Sequence, residues 1–328
     1  MSASTSQGRH PAALWEGFWG IQLLHAGQSL GLFEALNQPM TPAELAQKLS
    51  LEIRYTEFWC SAAEACGLLE QEQTRFVVPE GLSGWLADSK GFTQSHLHLS
   101  HRLNETFQAV FAGRALPEPP ISLRLILAEN LLQNYRWAFE QVPGQVPAFA
   151  HALQQGTRAL EVGCGLGLGL GVLRSNYSHL ELYGLEADYE CAREAERATR
   201  AVIHVGELPG DRFGKTFDLV VCFRALAGAA SPEDLLSECA RLLSPQGWLL
   251  LGTEVQDRAG DRKSSARSLG ELFAYQLLAG ERDVNFFTRE RLKDLLHRLG
   301  LKVEAEVEAP DWGTPLYLCT SQGNSQTA

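Results

Sequence analysis

The sequence has no run of about 18 consecutive apolar residues, the least that a membrane-spanning helix needs, so no span is expected. Its opening stretch MSASTSQGRHPA lacks the apolar centre of an export signal, and a soluble, cytoplasmic protein is the expectation. Positive charge is scarce: 28 lysines and arginines stand against 39 aspartates and glutamates, a formal net charge of −11. Such a balance repels a phosphate backbone, which argues against nucleic acid as a partner. The seven cysteines (Cys60, Cys66, Cys164, Cys191, Cys222, Cys239, Cys319) contain no CxxC pair and no histidine at zinc-ligand spacing. Reduced, buried thiols and no metal site are therefore expected. His96, His98 and His101 cluster, but without a carboxylate at matching spacing they are expected to face solvent.

What is present divides the chain into parts, and 328 residues suffice for about two domains. In residues 12–36, Leu14, Phe18, Ile21 and His25 recur at helical spacing with Leu24 beside them, followed by an apolar turn from Leu32 to Leu36. Two helices meeting near Gly31 are expected, and His25 falls at a core-facing position. Thr41-Pro42-Ala43-Glu44 is a capping box with proline at the first helical position, predicting a helix from 42 to about 49. A further helix over about 54–67 ends at Gly67, and LLEQEQTRFVVPEGLSGWL alternates around a polar turn like a small β-hairpin. Three helices and a hairpin suggest a winged helix. Residues 41–90 carry Lys48, Arg54, Arg75 and Lys90 against eight acidic residues, so a packing or dimerisation module is favoured over a DNA reader.

The organisation expected is a winged-helix-like dimerisation domain over residues 1–100 and a helical linker over 101–150, broken by Pro117, Pro119 and Pro120, with an α/β domain over 151–328. Within that last part, strand-like runs at 158–164, 180–186, 201–206, 217–223 and 247–254 alternate with amphipathic helices, implying a doubly wound, mainly parallel sheet. A helix from Thr288 to about Leu299 then leads to LKVEAEVE and LYLCTS.

The loop after the first of these strands, EVGCGLGLGLG, occupies the place where doubly wound sheets bind ligands. A dinucleotide would need GxGxxG, yet the frames opening at Gly163, Gly165, Gly167 and Gly169 place Leu168, Leu170, Val172 and Arg174 at the last glycine. A P-loop would need a lysine, and no cation lies between Arg158 and Arg174. What remains is a phosphate-poor ligand. Glu186, closing the second strand in LYGLEAD, can accept hydrogen bonds from both hydroxyls of a ribose. Glu161 adds negative charge that disfavours a pyrophosphate and tolerates an ammonium and a sulfonium.

The ordered series LEVGCGLG, LYGLEAD, VIHVGEL, FDLVVCFRALA and LLSPQGWLLLGTEV resembles the motifs of class I S-adenosylmethionine-dependent methyltransferases over roughly residues 155–321. Residues 12–88 likewise resemble the dimerisation domain of small-molecule O-methyltransferases. The resemblance implies a Rossmann-like seven-stranded sheet with its last strand antiparallel, S-adenosyl-L-methionine as cofactor, a small-molecule methyl acceptor and a homodimer. It implies that Gly163, Gly165 and Gly167 approach the methionine part through their backbone. Glu186 would hold the ribose, Glu207 and Leu208 would flank the adenine, and Arg224 would reach the cofactor carboxylate.

The family's usual general base, a histidine shortly after the fourth strand, corresponds here to Ala227, and no histidine lies between His204 and His297. An O-acceptor is the first expectation, but with this base missing N-, S- and C-methylation stay open, the transfer then resting on proximity and orientation. Substitute bases would be Glu254, Asp257 or His25. The alternative is a non-catalytic protein that keeps the fold and binds a ligand or partner. An aromatic or polyketide-like acceptor is expected between the N-terminal helices, the helix at 121–140 and the insertion at 256–287. Trp15, Phe18, Trp19, Tyr135 and Trp137 would line that pocket together with Phe273, Phe286 and Phe287.

Overall fold

The structure is a computed structural model that describes residues 11–89, 131–208, 213–253, 287–308 and 314–322, together with positions 93, 94, 97, 100, 111, 112, 255 and 285. Glu254, Asp257, Phe273, Phe286, His96, His98, His101, the three linker prolines, most of the helix expected at 121–140 and the insertion lie outside these residues. The chain divides into two compact units, Met1–Leu97 and His98–Ala328.

In the first unit, helix α1 (Pro11–Leu30) contains one β-branched residue in 20 and stops at Gly31, whose φ of 71° no other residue adopts as easily. Helices α2 (Leu32–Ala35), α3 (Pro42–Leu49) and α4 (Ile53–Ala65) follow. The capping box forms as the sequence predicts: the Glu44 amide donates to Thr41 Oγ1 at 3.2 Å, and the Thr41 amide donates to Glu44 Oε2 at 2.8 Å. Strands β1 (Glu70–Glu72) and β2 (Arg75–Val77) pair antiparallel, a shorter hairpin than expected. The LSGWL segment instead enters helix α5 (Leu82–Asp88), because Gly81 at φ 87° turns the chain out of the extended state. Leu32, Phe33, Leu36, Leu45, Trp59 and Phe76 form the core.

The face that spacing marks as inward on α1 is not covered along its first half. Leu14, Phe18 and Ile21 are 63%, 46% and 45% exposed, and Trp15 and Trp19 are exposed beside them. Burial begins at Leu24, where α2 and α4 pack and Trp59 Nε1 donates to the Leu23 carbonyl at 3.0 Å.

The second unit is a sheet between two helical layers. Helices α6 (Val142–Gln145) and α7 (Pro147–Gln155) follow a helical stretch from 131 that carries a π turn at Trp137–Gln141. Then come β3 (Arg158–Val162), α8 (Leu168–Asn176), β4 (Glu181–Glu186), α9 (Tyr189–Thr199), β5 (Val202–Val205), β6 (Phe217–Phe223), α10 (Pro232–Leu242), β7 (Leu243–Gly252), α11 (Arg289–Arg298), β8 (Leu301–Glu308) and β9 (Pro315–Ser321). The sheet order is β5-β4-β3-β6-β7-β9-β8. The first five strands in that order run parallel, and β9 enters antiparallel between β7 and β8.

Alternation along the central strands divides the core. Ala159, Leu219, Val221 and Leu250 face one layer with Phe139, Phe149, Leu170 and Leu173. Leu160, Val220, Leu249 and Leu251 face the other with Leu236, Leu292 and Leu296. Both faces being covered, the strands read as near-continuous apolar runs, and each fully buried leucine contributes about 1.5–3 kcal/mol. Asp218 ties the strand starts together: Oδ2 accepts from the Thr157 amide at 2.8 Å and Oδ1 from Ser244 Oγ at 2.8 Å. β7 starts at Leu243, earlier than the apolar run suggests, because Leu243 pairs with Phe217 before the register shifts.

Candidate functional site

The site grows from the carboxyl end of β3, where parallel strands release the chain into the loops that shape a crevice. Gly163, Gly165 and Gly167 have φ of 69°, 52° and 78°, a left-handed conformation that glycine adopts without steric cost. Their surroundings differ. A Cβ on Gly163 would stand 2.7 Å from Ala225 Cβ, and one on Gly167 would meet Thr199 Cγ2 at 2.9 Å and Ala195 Cβ at 3.0 Å. At Gly165 a Cβ would meet nothing within 4 Å. Two of the glycines thus admit neighbouring chain, while Gly165 opens the concave face of the loop.

Glu186, at the end of β4, buttresses that face. Its Oε2 accepts from the Gly165 amide at 2.8 Å and its Oε1 from the Asp188 amide at 3.0 Å, which leaves each oxygen a lone pair. The Gly163 and Cys164 amides donate to the Leu185 carbonyl at 2.8 and 3.1 Å, seating the loop on β4. The Gly206 amide donates to the Glu186 carbonyl at 2.8 Å, so the turn carrying exposed Glu207 and half-buried Leu208 starts beside Glu186. Arg224 leaves β6 with a φ of 57°, uncommon for a residue with a side chain, and its amide donates to the Gly252 carbonyl at 2.8 Å. The turn after β6 therefore comes against Gly163 through Ala225.

Beneath the loop Glu161 is fully buried, on the same face of β3 as Ala159. Neither carboxylate oxygen has a donor at hydrogen-bond geometry. Burial pushes its pKa up to about 8; the Tyr135 hydroxyl and the Leu170 amide pull the other way, and the charge of Glu186 adds to the rise. Tyr135 is itself 3% exposed, with its ring 4.7 Å from that of Phe223. It belongs to the floor of the loop, a place that helical aromatic spacing does not reveal. Gly169, which costs α8 about 1 kcal/mol of helix propensity relative to alanine, has a packing reason. A Cβ there would lie 2.5 and 2.7 Å from the two Glu161 oxygens and 2.5 Å from Tyr135 Cε1.

Ala227 is 2% exposed, and its carbonyl accepts from the Asn285 amide at 2.8 Å. Asn285 Nδ2 also donates to the Ala229 carbonyl at 2.7 Å. The position of the family's base is thus a buried methyl in a clamped turn. Ala227→His is expected to overpack it and cost about 1–3 kcal/mol in denaturant melts without adding a base; a stable variant that gains O-methylation would refute this. His25 belongs to the first unit, where its Nδ1 stands 3.5 Å from Ser29 Oγ. An open cleft of about 380 Å³ between α10 and α11 is lined by Asn285, Phe287 and Arg291 and by none of the glycine-loop residues. Among the described residues no three His, Cys, Asp or Glu are placed to hold a metal ion, and no helix is long and apolar enough to cross a membrane.

A lysine-free glycine loop on a sheet of this order, closed by a carboxylate on the neighbouring strand, defines the S-adenosylmethionine-dependent methyltransferase class. The chain belongs to the methyltransferase-domain family, whose model matches residues 135–306, just over half its length. It is 31% identical to a ubiquinone biosynthesis O-methyltransferase from Burkholderia lata over 121 residues, which are 32% of this chain and 47% of that protein. The match thus spans about half the length of that curated relative. An O-methyltransferase family protein from Burkholderia thailandensis superposes with a TM-score of 0.65 at 17% identity, covering 95% of this chain and 97% of its own. Human N-acetylserotonin methyltransferase, solved with S-adenosylmethionine, gives a TM-score of 0.63 at 19% identity, covering 98% and 99%. At these identities the structural likeness is one of fold.

Proposed function

We propose that the protein transfers the methyl group of S-adenosylmethionine to a small, aromatic or polyketide-like acceptor. The observation that carries this reading is Gly165, open on its Cβ side and held by its amide to the Glu186 carboxylate. A ribose on that carboxylate would use the remaining lone pairs of Oε1 and Oε2, with Gly163, Gly165 and Gly167 tracking the methionine part. Glu207 and Leu208 would flank the adenine, and Arg224 would serve the cofactor carboxylate. The donor supplies an electrophilic methyl on sulfur. The chain's own task is to align the acceptor in line with it and exclude water.

With alanine at position 227, the acceptor arrives already nucleophilic, as an amine, a thiolate, an acidic phenol or a stabilised carbanion; His25 and Glu254 stay as substitute bases. Ubiquinone biosynthesis O-methyltransferases, by their name, act on oxygen, which keeps an oxygen acceptor first. Titration calorimetry with S-adenosylmethionine and S-adenosylhomocysteine tests the cofactor site, and failure of both to bind at high micromolar concentration would overturn the reading. The clamped turn at Ala227 also favours a second reading, a ligand-binding protein without catalysis, which any methylated product from a labelled donor and an acceptor panel would exclude. The exposed Leu14, Trp15, Phe18 and Trp19 on α1 support a homodimer through the first unit, a face that water alone would not cover at no cost. Sedimentation of Trp15→Glu/Trp19→Glu is expected to show monomer, and an unchanged dimer would sink this assignment.

A further inference from the structure

Among the described residues the buried Glu161 meets no cation, and only the Tyr135 hydroxyl and the Leu170 amide act on it as donors. A carboxylate withdrawn from water is ordinarily paired with a cation or with several donors, yet both of its oxygens lack a donor at hydrogen-bond geometry. Among the described residues the titratable groups facing it are all acids. Tyr135 comes from the helical stretch before the π turn, Cys164 from the loop and Glu186 from β4, while Cys222 on β6 lies beside Tyr135. α8 contributes the backbone of Gly169 and Leu170, with no charge. A cation laid on the loop above would favour the ionised form of this carboxyl group.

The two forms of the proposed cofactor differ in that respect. S-adenosylmethionine carries a sulfonium, an ammonium and a carboxylate, whereas S-adenosylhomocysteine carries the ammonium and carboxylate with a neutral thioether. An opposite charge close by in a low-dielectric site favours the ionised form of a carboxyl group, and its removal reverses the effect.

We propose that Glu161 is a charge sensor beneath the glycine loop: protonated in the free protein, it releases its proton to solvent when the sulfonium donor binds and takes one back once methyl transfer has left a neutral thioether. The balance is a carboxylic acid plus a monocation giving a carboxylate-monocation pair and a free proton, with one proton taken back from solvent when transfer leaves the neutral thioether still bound. Site selectivity for donor over spent product then grows with pH until the free carboxyl ionises by itself. Its titration near pH 8 puts that limit within the physiological range. The inference rests on the cofactor reading given above and assigns Glu161 as a specificity-determining residue within that site.

Proton release is measured by titrating each ligand into the wild-type protein in two buffers of different ionisation enthalpy. At about pH 7, S-adenosylmethionine is expected to release close to one proton more than S-adenosylhomocysteine, and its affinity to rise about tenfold per pH unit between about pH 6 and 8 while that of the product stays flat. The ammonium group is common to both ligands, so the difference isolates the sulfonium. In Glu161→Gln the difference is expected to vanish, and in Tyr135→Phe to persist. Equal proton release by two ligands that both bind would overturn the charge sensor and leave the methyl-donor reading standing. Binding of neither ligand would overturn both. Should the glutamine variant fail to fold, the comparison on the wild-type protein decides alone.

Discussion

Glu186→Ala is expected to weaken S-adenosylmethionine binding on the order of a hundredfold or more, equivalent to about 3 kcal/mol, with the fold retained. Two effects combine. The substitution removes an anionic acceptor for the ribose hydroxyls, and hydrogen bonds to a charged group are worth about 1.5–3 kcal/mol each. It also frees the Gly165 and Asp188 amides, now held at 2.8 and 3.0 Å, so the loop loses its fixed shape before any ligand arrives. Glu186 is half-buried at the edge of the core, and its backbone pairing to Gly206 and Val205 survives truncation. Calorimetry with the cofactor, alongside a thermal melt of the free protein, reads the result. An affinity within threefold of the wild type would remove Glu186 from the site.

The second large effect concerns the free protein. Glu161 in the folded state titrates near 8 because burial disfavours its charge, whereas an unfolded glutamate titrates at about 4.3. A raised folded pKa means that stability is fully present below the unfolded value and is lost as pH rises through the folded one. The ligand-free wild type should therefore lose stability steadily between about pH 4 and 8 and level off above that, a loss on the order of 5 kcal/mol from this residue. Glu161→Gln keeps the shape without the titration. Denaturant melts of both proteins should show curves that diverge with pH, the glutamine variant being the more stable at about pH 9, because the other titrating groups cancel in the comparison. Parallel curves would mean that Glu161 is already ionised when folded, and would undercut its role as a sensor.

Much of this could be read without coordinates. Strand-helix alternation from Arg158 onward and the order of the five motifs fixed the class of fold in advance, because each strand buried on both faces shows as a short apolar run. The cap at Thr41 was equally plain, since a capping side chain acts within its own turn, and the helix expected from Thr288 has that residue as its N-cap. Sequence periodicity placed α1 correctly and stopped there. It reports that Leu14, Phe18 and Ile21 share a face, but not whether anything covers that face. The helix at Leu82–Asp88 was missed for a similar reason, its start depending on the left-handed turn at Gly81.

At the site, local and long-range information separate cleanly. Sequence alone determined that the loop holds no phosphate-binding lysine, that its dinucleotide glycine is absent, that a carboxylate follows at Glu186 and that position 227 cannot donate or accept a proton. All of these depend on residue type and short spacing. Only the tertiary structure decided which glycine faces open space, why Gly169 has no side chain, and that Glu161 lies buried against Tyr135 and Glu186. Those facts depend on chain segments 20 to 90 residues apart meeting at the end of one strand, so burial, and with it the protonation of a carboxyl group, is a property of the folded neighbourhood rather than of the motif.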